Sequence, residues 1–132
     1  MVCYTLGTNG EGKMNLLQKS VIKEYAAKLH QLYPDEIDKI ILFGSQARGD
    51  ASKQADIDIL IVTKNNHKKI KNDITDLAFD IILKYAVDLE PVIFNRLEWK
   101  KLTRKPTSFI HCVLQEGKEL WSLFQIKMRL KP

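Results

Sequence analysis

Two apolar runs of seven residues, Ile37–Phe43 and Ile57–Thr63, constrain the fold more than any other feature of the chain. Each is rich in Ile, Leu and Val, too short for a typical helix, and bounded by turn residues, so each reads as a buried β-strand. The second is apolar on both faces once past Asp58, which suits a strand covered on both sides, or on one side with an active-site floor on the other. Helical periods flank the runs. Leu17, Val21, Tyr25 and Leu29 recur every four residues, with Ile22, Ala26 and Leu32 beside them, and predict an amphipathic helix over 15–32 that Pro34 ends. Ile70, Ile74, Leu77, Ala78, Ile81 and Tyr85 keep the 3.6-residue period in a long second helix, with Asn65 or Asn66 as its cap. Residues 87–94 alternate Asp88 and Glu90 against Val87, Leu89 and Pro91, a third strand that Pro91 places near an edge. A short polar helix over 96–102, a break at Pro106, and a helix over 107–116 closed by Gly117 complete the series. The order predicts an α/β (α+β) fold, a small mixed β-sheet flanked by helices.

The link between the two runs carries the chemistry. Residues 44–62 read GSQARGDASKQADIDILIV. Gly44 lets the backbone turn tightly and approach a ligand, and Ser45 offers a hydroxyl and the free N–H groups of a helix start to an anion. Asp56 and Asp58 are two apart, so in a strand they share a face at roughly 6–7 Å along the chain, with Ile57 turned the other way. Such a pair repels unless a cation sits between the carboxylates. Together the two halves point to a nucleoside triphosphate on one side, a divalent metal on the other, and a phosphoryl or nucleotidyl group passing between them. Arg48 stands in the first turn of the expected helix, where a cation opposes the helix dipole unless an anion is near; that anion is either a nucleotide phosphate or Asp50. Lys53 reads as a solvated loop residue, and His30, His67 and His111 have no partners at ligand spacing. Arg104 and His111 match an Arg-x6-His spacing found in certain ribonucleases, but Pro106 interrupts the helix that motif needs.

At 132 residues and 45% hydrophobic content, the chain is expected to form one domain with a single core. We divide it into a flexible arm over 1–13, the folded domain over 14–122 and a basic tail over 123–132; Met14, directly before the first helical period, is a candidate natural start. The formal charge of +5 suits contact with phosphates without requiring nucleic acid. Cys3 and Cys112 lie far apart without metal-ligand spacing, so neither a disulfide scaffold nor a zinc site is expected, and a reducing cytoplasm fits. No apolar run approaches the roughly 20 residues of a membrane-spanning helix.

Residues 44–62 resemble the signature of the nucleotidyltransferase superfamily that includes DNA polymerase beta and kanamycin nucleotidyltransferase, and in particular its minimal nucleotidyltransferases. The matching elements are Gly44-Ser45, then Arg48-Gly49, six residues over 50–55, and Asp56-Ile57-Asp58 leading into an apolar strand. A looser likeness runs from Ile37 to Trp121. Ala55 departs from the pattern, where a Ser is common. The resemblance implies that Gly44 and Ser45 anchor the triphosphate, with Arg48 as a further nucleotide contact. It also implies that Asp56, Asp58 and Asp88 bind two Mg ions and that Asp88 helps deprotonate the acceptor hydroxyl; Glu90, on the same face, is the alternative third acid. ATP or another nucleoside triphosphate is the implied substrate. Small members of this kind resemble antitoxins that transfer AMP onto an all-helical HEPN-type toxin, which makes such a protein the expected partner. A non-catalytic module acting by occlusion, or a transferase acting on RNA or an aminoglycoside, are the alternatives. Nucleic acid and membrane are not expected as partners, and a homo-oligomer is allowed by the sequence without being read from it.

Overall fold

The computed structural model describes residues 16–44 and 56–121; for Trp121 only the backbone is considered. The elements run α1 (Leu16–Leu32), β1 (Ile37–Phe43), β2 (Ile57–Thr63), α2 (Lys68–Tyr85), β3 (Leu89–Asn95), α3 (Arg96–Arg104), α4 (Ser108–Glu116) and β4 (Lys118–Trp121). They form one four-stranded sheet in the order β3-β2-β1-β4. β1 pairs antiparallel with β2 and with β4, while β2 and β3 run parallel, so the sheet is mixed as expected. Pro91 does sit on an edge strand, where a missing N–H costs least.

The two faces of β2 bury against different partners. Ile57, Ile59 and Ile61 point to one side, where α1 and α2 lay down Val21, Tyr25, Leu29, Ile74 and Ile81. Leu60 and Val62 point to the other, against Ile41, Phe43 and Val113, with Phe94, Trp99 and Phe109 packed around them. A fully buried Ile or Leu contributes roughly 1.5–3 kcal/mol, so the first cluster is the main source of stability. The Tyr25 hydroxyl reaches through this core to the Ile74 carbonyl at 2.9 Å, and burial pushes its ionisation well above the usual tyrosine range. Two polar clamps fix the outer seam of the helix pair. Tyr85 donates to Glu24 at 2.5 Å with Lys84 and Lys28 beside it, and Tyr33 donates to Asp73 with Lys69 beside it.

The helix ends show where local chemistry was misjudged. α2 begins at Lys68 with His67 in the cap position and no side-chain capping bond, in place of the expected Asn65 or Asn66. Asn65 is engaged elsewhere: its carbonyl accepts from Thr63 Oγ1 at 2.8 Å, and its amide donates to Glu36 at 3.4 Å. α3 is closed at its start by a capping box between Asn95 and Glu98, and Thr107 caps α4. β3 starts at Leu89, two residues later than expected. β4 was not foreseen at all. Its four residues, two of them charged, carry almost no periodic signal; they become a strand because β1 offers a free edge. Cys112, buried on α4, is disulfide-bonded, contrary to the expectation of separate thiols. Sequence spacing does not say which segments meet in space. The short helix expected after Ser45 lies outside the described residues, as do the N-terminal arm and the C-terminal tail.

Candidate active site

Three chain segments meet at one end of the sheet. β1 leaves the sheet at Phe43, and β2 and β3 both begin there, since Phe43 lies opposite Asp58 and Ile57 opposite Leu89. The Ile57 N–H donates to the Asp88 carbonyl at 3.0 Å and fixes this register at its first step. Partners across a sheet put their side chains on the same face, so Glu90, opposite Asp58, shares its face. The pairing begins at Ile57 and Leu89, so Asp56 and Asp88 are the residues immediately before the first pair of the two strands. Asp58 and Glu90 therefore belong to the face that carries Leu60 and Val62, and Asp56 and Asp88 flank its open rim. Asp58 is half-buried, while Asp56, Asp88 and Glu90 are exposed.

Gly44 adjoins this rim. Its φ of 78° is a left-handed conformation that side-chain-bearing residues adopt at a cost. A Cβ built on it would come 2.5 Å from Asp58 Oδ2, inside van der Waals contact. The glycine therefore does two things: it turns the chain out of β1 and leaves space for the Asp58 carboxylate against its backbone. The sequence reading anticipated a close approach to a ligand; the contact with Asp58, fourteen residues along, had no local signal. Below this rim, Phe109 of α4 meets Phe43 edge-on with ring centroids 5.3 Å apart, so an aromatic pair braces the strand end that presents Gly44.

The backbone thus brings Asp58 and Glu90 to one face, with Asp56 and Asp88 immediately before the two strand starts. Among the described residues no three His, Cys, Asp or Glu side chains are drawn into a compact metal-holding cluster. The donor chemistry nonetheless suits a hard divalent cation, because every candidate ligand is a carboxylate oxygen. Ser45 and Arg48 lie outside the described residues.

A mixed sheet with carboxylates where two parallel strands start, next to a glycine turn, suits phosphoryl or nucleotidyl transfer. Residues 21–124 match the family described as polymerase beta, nucleotidyltransferase, and the chain belongs to that family. Two relatives from Methanocaldococcus jannaschii, "Putative protein adenylyltransferase MJ0141" and "Putative protein adenylyltransferase MJ0604", are each 38% identical to it. The first alignment spans 76% of this chain and 95% of the relative, the second 79% and 98%. A chain of a toxin-antitoxin complex solved with AMP-PNP shares the fold, with a TM-score of 0.54 at 22% identity over 81% of this chain and 78% of its own. The chain is a nucleotidyltransferase.

Proposed function

We propose that the protein transfers AMP from ATP, with Mg, to a hydroxyl of a partner protein, and that it is the antitoxin of a pair whose toxin is a HEPN-type helical protein. The observation that supports this reading is the parallel register that starts β2 and β3 side by side, with Asp56 and Asp88 immediately before the first pair and Gly44 against the Asp58 carboxylate. The names of the two relatives support the protein acceptor, and the fold shared with a toxin-antitoxin chain solved with AMP-PNP agrees with it.

In this reading Gly44 and Ser45 hold the outer phosphates through backbone N–H groups and the hydroxyl, with Arg48 as a further phosphate contact. Asp56, Asp58 and Asp88 would hold Mg, which when bound supplies charge to the attacking and leaving oxygens. The acceptor oxygen forms a bond to the α-phosphorus, the bond from that phosphorus to pyrophosphate breaks, and Asp88 takes the acceptor proton. The protein's own work is positioning, which in such reactions accounts for much of the rate.

The test is incubation of the purified chain with labelled ATP, Mg and a candidate helical partner. Label should appear on the partner with the wild type and fall by at least about 100-fold with Asp56→Asn or Asp58→Asn, the scale on which misplaced charge costs catalysis. Label transfer that survives both changes would sink the reading. Neutralisation of the partner by the Asp variants without any transfer would favour occlusion.

A further inference from the structure

We infer that the C-terminal half of α3 is a docking surface for an acidic face of the acceptor protein. This rests on the reading of the chain as a protein-modifying enzyme and adds the chemistry of its partner. Lys100, Lys101, Arg104 and Lys105 are all exposed, and among the described residues none of them enters an ion pair. The other charges of the helix are engaged. Arg96 grips Asp38 of β1 through two bonds of 2.6 Å, and Glu98 is held in the capping box. Taking those four cations from the formal charge of +5 leaves +1, so nearly all of the chain's excess positive charge is numerically accounted for by six consecutive residues. Two of the four are more than the helix dipole needs, since its C-terminal partial charge is only about half a unit.

The surface lies on the working side of the sheet. Trp99, on the opposite side of the same helix, stacks on Phe94 and packs against the cluster that holds Leu60 and Val62, so α3 crosses the face bearing the acids. Phe109, four residues past Lys105, meets Phe43, the register partner of Asp58. Four residues span at most about 14 Å, so the cations lead directly to the element that braces the site.

The occupant is a protein and not a nucleic acid. Leu97 stands 62% exposed on the same helix, one turn before Lys100 and Lys101, and an apolar anchor ringed by charge is the make-up of a protein interface. Base-stacking platforms are missing here, because Trp99 and Phe109 are both turned into packed contacts. Phosphate backbones would also meet the acidic rim of Asp56, Asp58, Asp88 and Glu90, whereas an acidic protein patch can sit on α3 while its neutral hydroxyl enters the site.

The experiment measures binding and transfer separately. The probes are a labelled tyrosine peptide flanked by Asp and Glu, the same peptide flanked by Lys, and a single-stranded RNA, each titrated by fluorescence anisotropy in low and high salt. The acidic peptide should bind the wild type most tightly, and its affinity should drop about tenfold or more when Lys100, Lys101, Arg104 and Lys105 are changed together to Glu or, in a milder variant, to Gln. Leu97→Ser should weaken the same peptide without changing its salt dependence, and binding of a fluorescent ATP analogue with Mg should be unaltered throughout. Unchanged affinity in both charge variants, or tighter binding of the RNA than of the acidic peptide, overturns the inference. Anisotropy does not depend on turnover, so failure of the transfer chemistry would show as binding without label, a different result from failure of the docking surface.

Discussion

Replacing Gly44 by Ala tests the site at its most constrained point. The substitution imposes two separate costs. Holding a non-glycine residue at a φ of 78° costs about 1–2 kcal/mol. The new Cβ, 2.5 Å from Asp58 Oδ2, also forces that carboxylate to swing away. Overpacking of this kind costs roughly 1–3 kcal/mol more where the neighbour is rigid, but the neighbour here is the end of a half-buried Asp58 side chain and not backbone, so the lower end applies. A total near 2–3 kcal/mol would lower the midpoint of thermal unfolding by about 10 °C for a domain of this size. The effect on function is larger. A displacement of about 1 Å in a positioned group costs on the order of 100-fold in rate, so transfer should fall further than the folded fraction does. A double-mutant cycle with Asp58→Ala separates the two costs, measured by urea unfolding of the four proteins. The overlap disappears when the carboxylate is gone, so Gly44→Ala should cost less in the Asp58→Ala background than in the wild type. Additivity within about 0.3–0.5 kcal/mol would refute the contact as the cause.

Other expectations follow from particular contacts. Gly117→Ala should destabilise by roughly 1–3 kcal/mol in urea, because its Cβ would press on the Val113 carbonyl and on Ile41 Cγ2 at 2.6 Å, while transfer per folded molecule stays unchanged. Tyr25→Phe should cost about 1 kcal/mol by the same measurement, the worth of its bond to the Ile74 carbonyl. Tyr85 and its lysine neighbours hold the Glu24 carboxyl down at about 2, against 4.5 ordinarily. A depressed acid stabilises the fold above its unfolded value and loses that support as pH falls through the folded one, so wild-type stability should drop between about pH 4.5 and 2. Tyr85→Phe should shrink that drop, which unfolding curves at pH 5 and pH 2.5 will show; an equal loss in both proteins would contradict it.

How far the sequence revealed this fold depended on whether a signal was periodic or relational. α1, β1 and β2 lie where apolar spacing puts them, because burying one stripe or both faces leaves a repeating mark on the chain. Pro91 marked its edge through its own chemistry. β4 left no such mark, since Lys118 to Trp121 form a strand through what β1 lacks and not through their own composition. The disulfide at Cys112 and the engagement of Asn65 by Thr63 and Glu36 are likewise facts about neighbours. At the site, the residue types were readable from the Gly44 and Asp56–Asp58 spacing, and Glu90 lies opposite Asp58 in the sheet. That Asp58 lies against Gly44 required the three-dimensional arrangement.

The parallel run of β2 and β3 decides which acids stand near one another. Seven residues of strand span about 20 Å, so a tight hairpin after β2 would have left Asp88 and Glu90 stranded on the far shore of the sheet, out of reach of Asp56 and Asp58. The eighteen residues of α2 act as the return ferry, carrying the chain back to its point of departure before the next crossing begins. Its length is what returns the chain to the rim, and a designer shortening this crossover would part the two pairs of acids without touching any of them.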